Sequence, residues 1–295
     1  MRILLTGATG QLGHELARLL AAHEVLAPSR LECDLSDAHS VREAVRAARP
    51  DLIINPAAYT AVDKAEQEPA LARAINAVAP AVLADEARRR GVPLIHFSTD
   101  YVFSGDASVP YTETHPTNPI NVYGHTKLEG EHAIEASGCV YLILRTSWVY
   151  SRHGRNFLLT IERLARERDR LTIVADQRGS PNWARELARA TVALSEIGRD
   201  ELSAKAGIYH LSGKGETTWH GFAKAIVASV GLEHRVEVVP ITTDAYPTPA
   251  RRPAYSVLDT SRLADAFGIT MPDWAVGLEA CQMDVSQGGA EAFAG

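Results

Sequence analysis

The glycine-rich turn near the start of the chain constrains the fold more than any other feature. It reads Thr6-Gly7-Ala8-Thr9-Gly10-Gln11-Leu12-Gly13, with the spacing GxxGxxG. An apolar run over residues 3–6 predicts a buried strand before the turn, and the leucines of residues 11–22 form the apolar stripe of a helix after it. Glycines at such a junction let a pyrophosphate approach the backbone, and the helix N-terminus attracts the anion. The turn therefore predicts a fold that binds a dinucleotide.

Strand and helix patterns alternate through the first half of the chain. Further strands are predicted over residues 23–27, 52–55, 93–98 and 140–146, and helices over residues 41–48, 70–90 and within 119–136. Alternation at these intervals is typical of βαβ units. We therefore expect an α/β protein with a Rossmann-type, doubly wound parallel sheet, in which residues 1–150 form the NAD(P)-binding domain.

The pattern becomes less regular after residue 150. Helices are predicted over residues 156–168, 183–197 and 219–230, and strands over residues 171–174 and 208–211. Residues 240–253 hold four prolines and predict an extended loop, and residues 284–295 show no periodicity and predict a frayed end. We expect residues 151–295 to form mainly a smaller α/β substrate-binding lobe. This lobe would be discontinuous, because segments within residues 151–240 would return to the first domain.

Composition argues against several classes of protein. The 295 residues carry a formal net charge of −6, whereas general nucleic-acid binders are usually basic. No apolar run reaches the roughly 18 residues of a membrane span, and the N-terminus lacks the apolar core of a signal peptide. The cysteines, Cys33, Cys139 and Cys281, are odd in number and form no CxxC pair, as expected in a reducing compartment. We expect a cytoplasmic protein that binds neither nucleic acid nor membrane.

Tyr123 and Lys127 form the strongest catalytic signal. They stand four residues apart in Asn121-Val122-Tyr123-Gly124-His125-Thr126-Lys127, so on a helix they share one face. A free tyrosine has a pKa of about 10, and a nearby ammonium favours the phenolate. We therefore expect Lys127 to lower the pKa of Tyr123 and to prepare it for acid–base catalysis.

Polar side chains follow the predicted fourth strand, whose end reads His96-Phe97-Ser98-Thr99-Asp100. Ligands of open α/β sheets bind at the carboxyl ends of the strands. Ser98 and Thr99 would therefore lie where a hydroxyl can hydrogen-bond a substrate carbonyl. Such residues also form turns and caps, but the presence of Tyr123 and Lys127 favours the catalytic interpretation.

The residues after the second strand bear on the choice of cofactor. NAD-binding proteins usually place a carboxylate there for the ribose 2′-hydroxyl, whereas a cation suits the 2′-phosphate of NADP. Ser29 and Arg30 favour NADPH. NADH stays possible because Asp34 follows the glycine turn at about 20 residues, the usual distance of the ribose carboxylate. We expect Asp34 and Leu35 to lie against the adenine.

Together these motifs resemble the extended short-chain dehydrogenase/reductase family. The likeness includes the glycine turn, Asp34-Leu35, Asn55-Pro56-Ala57-Ala58, Asn76, Ser98-Thr99-Asp100 and the YxxxK pair. Within that family the chain is similar to the dTDP-4-dehydrorhamnose reductases. The narrower likeness is carried by Arg145-Thr146-Ser147-Trp148-Val149-Tyr150, Asp176-Gln177-Arg178-Gly179, Thr218-Trp219-His220 and Tyr246-Pro247-Thr248-Pro249-Ala250-Arg251-Arg252-Pro253.

The resemblance implies hydride transfer from NAD(P)H to C4 of the nucleotide sugar dTDP-4-dehydro-L-rhamnose, which gives dTDP-L-rhamnose. Tyr123 would donate the proton, Lys127 would hold the nicotinamide ribose, and Thr99 would hydrogen-bond the reacting oxygen. The implied substrate contacts are Thr99, Asp100, Trp148, Asn156 and Arg252. The implied cofactor contacts are Gly7, Gly10, Gln11, Leu12, Gly13, Ser29, Arg30, Asp34, Leu35, Ala57, Ala58, Tyr59, Thr60, Asn76, Phe97, Tyr123 and Lys127.

The resemblance also bears on metal binding and assembly. Some members of this family form dimers through carboxylates that share a magnesium ion. Glu15 fits such a site, but Arg185 stands where a further carboxylate would be expected. Because a cation at that position repels a metal ion, we expect no metal site, and either a monomer or a homodimer.

Two other functions stay open at this point. An epimerase or a dehydratase on the same scaffold is the first. A dehydratase would carry an acidic pair after the threonine, whereas here Asp100 is followed by Tyr101. An epimerase retains its NAD, whereas Ser29 and Arg30 favour an NADPH that exchanges with solution. The second is a non-catalytic NADP-binding subunit resembling the regulatory subunit of methionine adenosyltransferase. The complete set of Thr99, Tyr123 and Lys127 favours an enzyme.

Overall fold

Strands and helices alternate through residues 1–291, which the computed structural model describes, with side chains for residues 1–284. The strands are β1 (Arg2–Leu5), β2 (Glu24–Leu26), β3 (Leu52–Asn55), β4 (Leu94–Thr99), β5 (Tyr141–Thr146), β6 (Val149–Tyr150), β7 (Arg170–Val174), β8 (Arg178–Gly179), β9 (Asn182–Trp183), β10 (Gly207–His210), β11 (Thr217–Thr218) and β12 (Glu237–Ile241). The α-helices are α1 (Gln11–Leu19), α2 (Ala38–Ala48), α3 (Val62–Ala65), α4 (Pro69–Arg73), α5 (Ala79–Arg90), α6 (Val122–Ser137), α7 (Phe157–Glu167), α8 (Ala184–Ser195), α9 (Arg199–Ala204), α10 (Trp219–Ser229), α11 (Ser261–Phe267) and α12 (Trp274–Glu291).

A six-stranded sheet in the order β10-β5-β4-β3-β1-β2 forms the centre of the fold, and its neighbouring strands all pair in parallel. This confirms the predicted doubly wound α/β class. The chain places β2 on one side of β1 and β3 on the other, so the turns after β1 and β3 meet at the topological switch point. Gly7 has a φ of +62°, and a Cβ there would lie 2.8 Å from the Cβ of Ala57. This close approach requires glycine.

Alternate residues of the central strands serve two different cores. Ile3 and Leu5 pack toward the side of α1 and α8, whereas Leu4 and Ile53 pack toward α2 and α5. Residues on successive positions of a strand point to opposite faces, and here both faces are apolar. The sheet is therefore covered by helices on both sides, which leaves the ends of its strands as the accessible surface.

Segments beyond residue 150 contribute to two bodies. The edge strand β10 pairs with β5, and α8 packs against α1, so both belong to the central sheet. A separate core forms around the parallel pair β7 and β12 with α7, α10 and α12. The division of the chain into a domain of residues 1–150 and a discontinuous lobe of residues 151–295 stays a prediction.

Three predicted segments differ from the structure. The helix predicted over residues 70–90 contains a π-helical turn, Ala74–Val78, between α4 and α5. The loop predicted over residues 240–253 begins inside β12, where Pro240 is tolerated because β12 pairs with only one strand. The frayed end predicted over residues 284–295 was wrong up to Glu291, because α12 continues to that residue. The remaining residues, 292–295, lie outside the described part of the chain.

Candidate active site

A cavity of about 470 Å³ lies at the carboxyl ends of the central strands, over the glycine turn. Its wall includes eleven of the predicted cofactor positions, which are Gly7, Gly10, Gln11, Leu12, Gly13, Ala57, Ala58, Thr60, Phe97, Tyr123 and Lys127. Gly10 is the N-cap of α1 and provides no side-chain cap, so the first N–H groups of this helix are available to an anion. We name this space the dinucleotide cavity.

Two buried hydroxyl groups on the wall of the dinucleotide cavity have no hydrogen-bond partner among the described residues. They are Ser98 Oγ at the end of β4 and Thr146 Oγ1 at the end of β5. Arg155 adds an exposed cation to the same wall. Because buried polar groups are normally satisfied, these atoms indicate that a polar ligand completes the site. Together with the uncapped helix they fit a dinucleotide.

Six predicted cofactor positions do not lie on this wall. Ser29 and Arg30 are in the loop after β2, where the backbone N–H of Ser29 donates to Glu32. Asp34 accepts hydrogen bonds from the backbone and hydroxyl of Ser36, which lower its pKa, and Leu35 packs against the core on the α2 side. These residues could meet only a part of the cofactor that extends beyond the dinucleotide cavity. Their roles stay predictions.

Asn76 and Tyr59 connect two segments that form the wall of the dinucleotide cavity. The amide of Asn76 is buried in the π-helical turn, accepts from Tyr59 N at 2.8 Å and donates to Thr126 Oγ1 at 3.1 Å. The Tyr59 hydroxyl bonds to Glu68. Asn76 therefore ties the segment after β3 to α6, and this placement favours a structural role for both residues.

Tyr123 lies in the first turn of α6, which begins where Asn121 accepts a hydrogen bond from Gly124 N at 2.8 Å. A Cβ at residue 124 would lie 2.2 Å from the carbonyl oxygen of Tyr101, so glycine lets this helix end approach Tyr101. The Tyr101 and Tyr123 rings then meet edge to face at 5.5 Å. The helix start thus fixes where the Tyr123 ring stands.

The predicted lowering of the Tyr123 pKa by Lys127 was wrong for this state of the protein. Burial raises the pKa of Tyr123 to about 12, which hydrogen bonding with Thr99 partly opposes. Lys127 Nζ instead donates to the Phe97 carbonyl at 2.6 Å and lies 3.3 Å from His96 Nε2. The i,i+4 spacing placed both residues on one wall, but spacing alone could not show which way the ammonium points.

Thr99 and Asp100 form a buried pair beside Tyr123. Thr99 Oγ1 donates to Asp100 Oδ1 at 2.9 Å, whereas Asp100 Oδ2 has no hydrogen-bond partner among the described residues. Burial raises the pKa of Asp100 to about 7, which the bond from Thr99 partly opposes. Burial therefore favours the neutral carboxyl of Asp100 to a higher pH than in a free aspartate.

A second cavity, of about 640 Å³, lies in the C-terminal lobe. Three arginines, Arg168, Arg170 and Arg252, share its wall with the aromatic side chains of Phe157, Trp219 and Tyr246. Trp148 stacks on Trp219 with ring centroids 3.6 Å apart, and it holds a φ of +45° that is unusual for a non-glycine residue. We name this space the arginine cavity.

The structure assigns different places to the remaining predicted substrate contacts. Arg252 lies on the wall of the arginine cavity, where its guanidinium pairs with Asp63 through bonds of 2.7 and 3.0 Å. Asn156 caps α7 by accepting from Leu159 N at 3.1 Å, and its amide nitrogen donates to Gln11 Oε1 at 2.9 Å. Asn156 therefore fixes α7 to the start of α1 rather than lining the arginine cavity, and a direct substrate contact stays a prediction.

Comparison with family models matches residues 1–286 to the RmlD substrate binding domain. The chain belongs to that family. The dTDP-4-dehydrorhamnose reductase of Burkholderia thailandensis is 47% identical over an alignment of 295 positions that covers 97% of this chain and 99% of the relative. Such identity over nearly the whole length places the chain among the dTDP-4-dehydrorhamnose reductases, as the sequence motifs predicted.

Solved structures in the same family share the fold. A dTDP-4-dehydrorhamnose reductase from Clostridium acetobutylicum superposes with a TM-score of 0.90 at 38% identity, covering 97% of this chain and 100% of that one. The enzyme of the same name from Bacillus anthracis, in complex with NADP, superposes with a TM-score of 0.90 at 36% identity, covering 96% and 99%. Both cover the central sheet and the C-terminal lobe together.

Arg185 occupies the place where some members of this family were expected to share a metal ion. Its Nε lies 2.9 Å from Glu15 Oε2, and its Nη1 lies 2.5 Å from Asp284 Oδ1. Its guanidinium also stacks over the ring of Trp183 at 4.9 Å. Two carboxylates thus already share a cation within the chain. This supports the expectation that no metal is held there, which stays a prediction.

Sequence reasoning missed several residues of this RmlD-family site. Thr146 and Arg155 lie on the wall of the dinucleotide cavity, and Arg168 and Arg170 on that of the arginine cavity. Thr146 is the last residue of a predicted strand and could have been found by the rule that found Thr99. The arginines lie in irregular or exposed segments where their type is ordinary, so no local pattern marks them.

Proposed function

We propose that this chain reduces the C4 keto group of dTDP-4-dehydro-L-rhamnose to give dTDP-L-rhamnose. The observation that carries the proposal is the position of Tyr123 and Lys127 on the wall of a dinucleotide cavity, in a chain that relatives named for this reaction match from end to end. The reduced cofactor, when bound, supplies the hydride. The protein must then supply a proton and stabilise the developing charge.

Tyr123 would be the proton donor. With a pKa raised to about 12 by burial, the phenol keeps its proton at neutral pH and can donate it to the alkoxide that forms at C4. Thr99, which hydrogen bonds in the same cluster, would donate to the same oxygen and stabilise its negative charge. Lys127 would hold the nicotinamide ribose. Asp100, with its free oxygen, would bind a sugar hydroxyl.

The arginine cavity suits the nucleotide part of the substrate. Phe157, Trp219 and Tyr246 offer flat faces for a base, and Arg168, Arg170 and Arg252 offer positive charge for a diphosphate. Trp148, stacked on Trp219, has its neighbour Val149 on the wall of the dinucleotide cavity. Trp148 would therefore contact the sugar between the base and the reacting carbonyl.

NADPH is the cofactor we propose, with NADH as a weaker substitute. The relative from Bacillus anthracis was solved with NADP, which supports this choice. Ser29 and Arg30, after β2, would meet the 2′-phosphate, and Asp34, four residues further along the chain, would accept a hydrogen bond from a ribose hydroxyl instead.

The protein would act in the cytoplasm, as a monomer or a homodimer. No helix of the described residues has the length and apolarity needed to cross a membrane. Cys33, Cys139 and Cys281 are all buried and free, which suits a reducing compartment.

An assay with authentic substrate tests the function. Purified protein is mixed with dTDP-4-dehydro-L-rhamnose and either NADPH or NADH, the loss of reduced-cofactor absorbance is followed, and the product is identified by NMR. We expect formation of dTDP-L-rhamnose, faster with NADPH. Absence of cofactor oxidation with this substrate would refute the proposal, and faster oxidation with a different 4-keto sugar nucleotide would correct the substrate.

A further inference from the structure

A chain of buried polar side chains extends from Lys127 into the central sheet. Lys127 Nζ lies 3.3 Å from His96 Nε2 on β4, and His96 Nδ1 lies 2.9 Å from the Asn55 amide on β3. Asn55 Nδ2 faces His96, and Asn55 Oδ1 accepts a hydrogen bond from the hydroxyl of Thr6, just after β1. Lys127, His96, Asn55 and Thr6 are each at most 2% exposed. These polar side chains therefore connect Lys127 to the interior of the sheet across the three adjacent strands β4, β3 and β1.

These polar residues lie where the sheet is otherwise apolar. Asn55 at the end of β3 and His96 within β4 are paired neighbours, and the preceding pairs of that register are Ile53 with Leu94 and Ile54 with Ile95. A buried polar side chain destabilises a fold unless hydrogen bonds compensate for the lost water. The hydrogen bonds among these polar side chains satisfy them, but apolar residues at the same positions would pack in the sheet without any such bonds.

Among the described residues, Lys127 forms no ion pair with a carboxylate; its Nζ contacts His96 and the Phe97 carbonyl. Glu131, one helical turn along α6, is bound by Arg145 through two bonds of 2.9 and 2.6 Å. The ionisable groups next to Lys127 are His96 from β4 and Glu131 from its own helix, with Arg145 from β5 bound to Glu131. Burial lowers the pKa of Lys127 to about 8, with the charge of Glu131 opposing the change. Lys127 can thus lose its proton at moderate pH.

The chain has two complete hydrogen-bond arrangements. When Lys127 is an ammonium it donates to His96 Nε2, so the proton of the neutral imidazole sits on Nδ1 and is donated to an oxygen of Asn55, whose nitrogen then faces Thr6. When Lys127 is an amine, its lone pair accepts from His96 Nε2–H, and His96 Nδ1 accepts from the nitrogen of Asn55. A half-turn of the Asn55 amide converts one arrangement into the other with little change in heavy-atom positions.

We propose that His96 and Asn55 are positioning residues that let Lys127 change its charge without moving, by reversing the direction of this hydrogen-bond chain. The role for turnover rests on the proposed reductase function. Each reduction takes one proton from Tyr123. The replacement proton comes from water, and Lys127, on the same cavity wall as Tyr123, can take part in its passage by releasing one proton and regaining one. In both charge states of Lys127, each side-chain nitrogen of Lys127, His96 and Asn55 has a hydrogen-bond partner.

Nitrogen NMR of the imidazole tests the reversal without cofactor or substrate. In cofactor-free protein labelled with ¹⁵N-histidine, the protonated and bare ring nitrogens of His96 have different shifts. We expect them to exchange identities between about pH 6 and pH 10, with a midpoint near the Lys127 pKa of about 8. In Lys127→Met the exchange should vanish. His96→Gln identifies the signals, and His39→Gln, at an exposed site on α2, is the matched control. One unchanging tautomer in the wild type would overturn the proposal.

A pH profile of kcat/KM tests the consequence for turnover. In Asn55→Asp the carboxylate can only accept hydrogen bonds, so the proton of the neutral His96 imidazole stays on Nδ1. His96 Nε2 is then an acceptor, which stabilises the ammonium of Lys127. We expect the alkaline limb of the profile to move up by about one pH unit. A lower kcat with an unmoved limb would mean that Asn55 is merely structural. Because the NMR measurement needs no turnover, failure of the reductase assay and failure of the reversal are separate results.

Discussion

The two cavities differ in how their polar groups are satisfied. At the dinucleotide cavity and beside it, Ser98, Thr146 and one oxygen of Asp100 are buried without a hydrogen-bond partner among the described residues. At the arginine cavity, Arg252 is already paired with Asp63, whose side chain is 41% exposed. The polar atoms of the first region are buried and keep hydrogen-bonding capacity for a ligand, whereas Arg252 in the second region must exchange an existing partner for a ligand.

This difference indicates a division of work. A hydrogen bond or charge in a desolvated site has a large effect, because water cannot replace a lost partner. An exposed ion pair contributes only about 0–1 kcal/mol. We name the region of Tyr123 with Ser98, Thr146 and Asp100 the catalytic corner. We infer that this region determines kcat and that the arginine cavity determines the affinity for the nucleotide sugar. Substitutions in the two regions should therefore change different quantities.

The largest effect is expected for Tyr123→Phe. Removal of the hydroxyl takes away the proton donor, so kcat should fall by a factor on the order of 10³, while NADPH affinity stays near that of the wild type. Single-turnover kinetics and a fluorescence titration with NADPH measure the two quantities. Tyr141→Phe, on β5 away from both cavities, is the matched control. Loss of NADPH binding with unchanged kcat would place Tyr123 in recognition and remove the proposed division.

An effect of at most similar size, on stability, is expected for Asp100→Asn. The folded-state pKa of Asp100 is raised from 3.8 to about 7, so the folded protein binds this proton more tightly than the unfolded chain, and the stability it provides is lost as pH rises through about 7. At about pH 8 the variant should therefore be more stable than the wild type, by up to about 4 kcal/mol, whereas at about pH 4 the two should be alike.

Thermal unfolding at several pH values measures this difference. Asp265→Asn, at an exposed carboxylate on α11, is the control and should show no pH-dependent change relative to the wild type. If Asp100→Asn were destabilising at all pH values, the ionised carboxylate would have a partner in the folded protein, and the catalytic corner would not be unsatisfied as described.

The smallest effect is expected at the ion pair of the arginine cavity. Arg252→Gln should raise KM for the nucleotide sugar about tenfold with little change in kcat, and Asp63→Asn should lower KM two- to threefold by releasing Arg252, both from energies of about 1 kcal/mol. Steady-state kinetics measure both. Arg163→Gln, from an exposed pair with Glu167 on α7, is the control. A change in kcat rather than KM would couple this cavity to the chemistry and break the comparison.

The sequence was most informative where local rules decide structure. The glycine turn predicted β1, α1 and the dinucleotide cavity, because a tight turn at a helix N-terminus depends on a few consecutive residues. The Tyr123–Lys127 spacing predicted one shared wall for the same reason. These features need only the geometry of a single turn of helix or strand.

Features that depend on distant partners could not be predicted. Lys127 faces His96, 31 residues away along the chain, and Arg252 faces Asp63 across 189 residues. The π-helical turn at Asn76 depends on packing against α6, whose Gly130 lies directly beneath the Asn76 carbonyl. The local sequence pattern predicted an uninterrupted α-helix around Asn76 and a lowered pKa for Tyr123. Tertiary contacts instead produce a π-helical turn at Asn76 and a raised pKa at Tyr123.

The return of β10 and α8 to the central sheet has a consequence for synthesis and for engineering. A ribosome must deliver the chain through His210 before the sheet gains its sixth strand. Until α8 is made, Leu12 and Leu16 of α1 have no cover from Leu187 and Ala188. The first 150 residues are therefore an incomplete product with an apolar face exposed. An exchange of the C-terminal lobe between relatives would have to leave residues 184–210 with the N-terminal half.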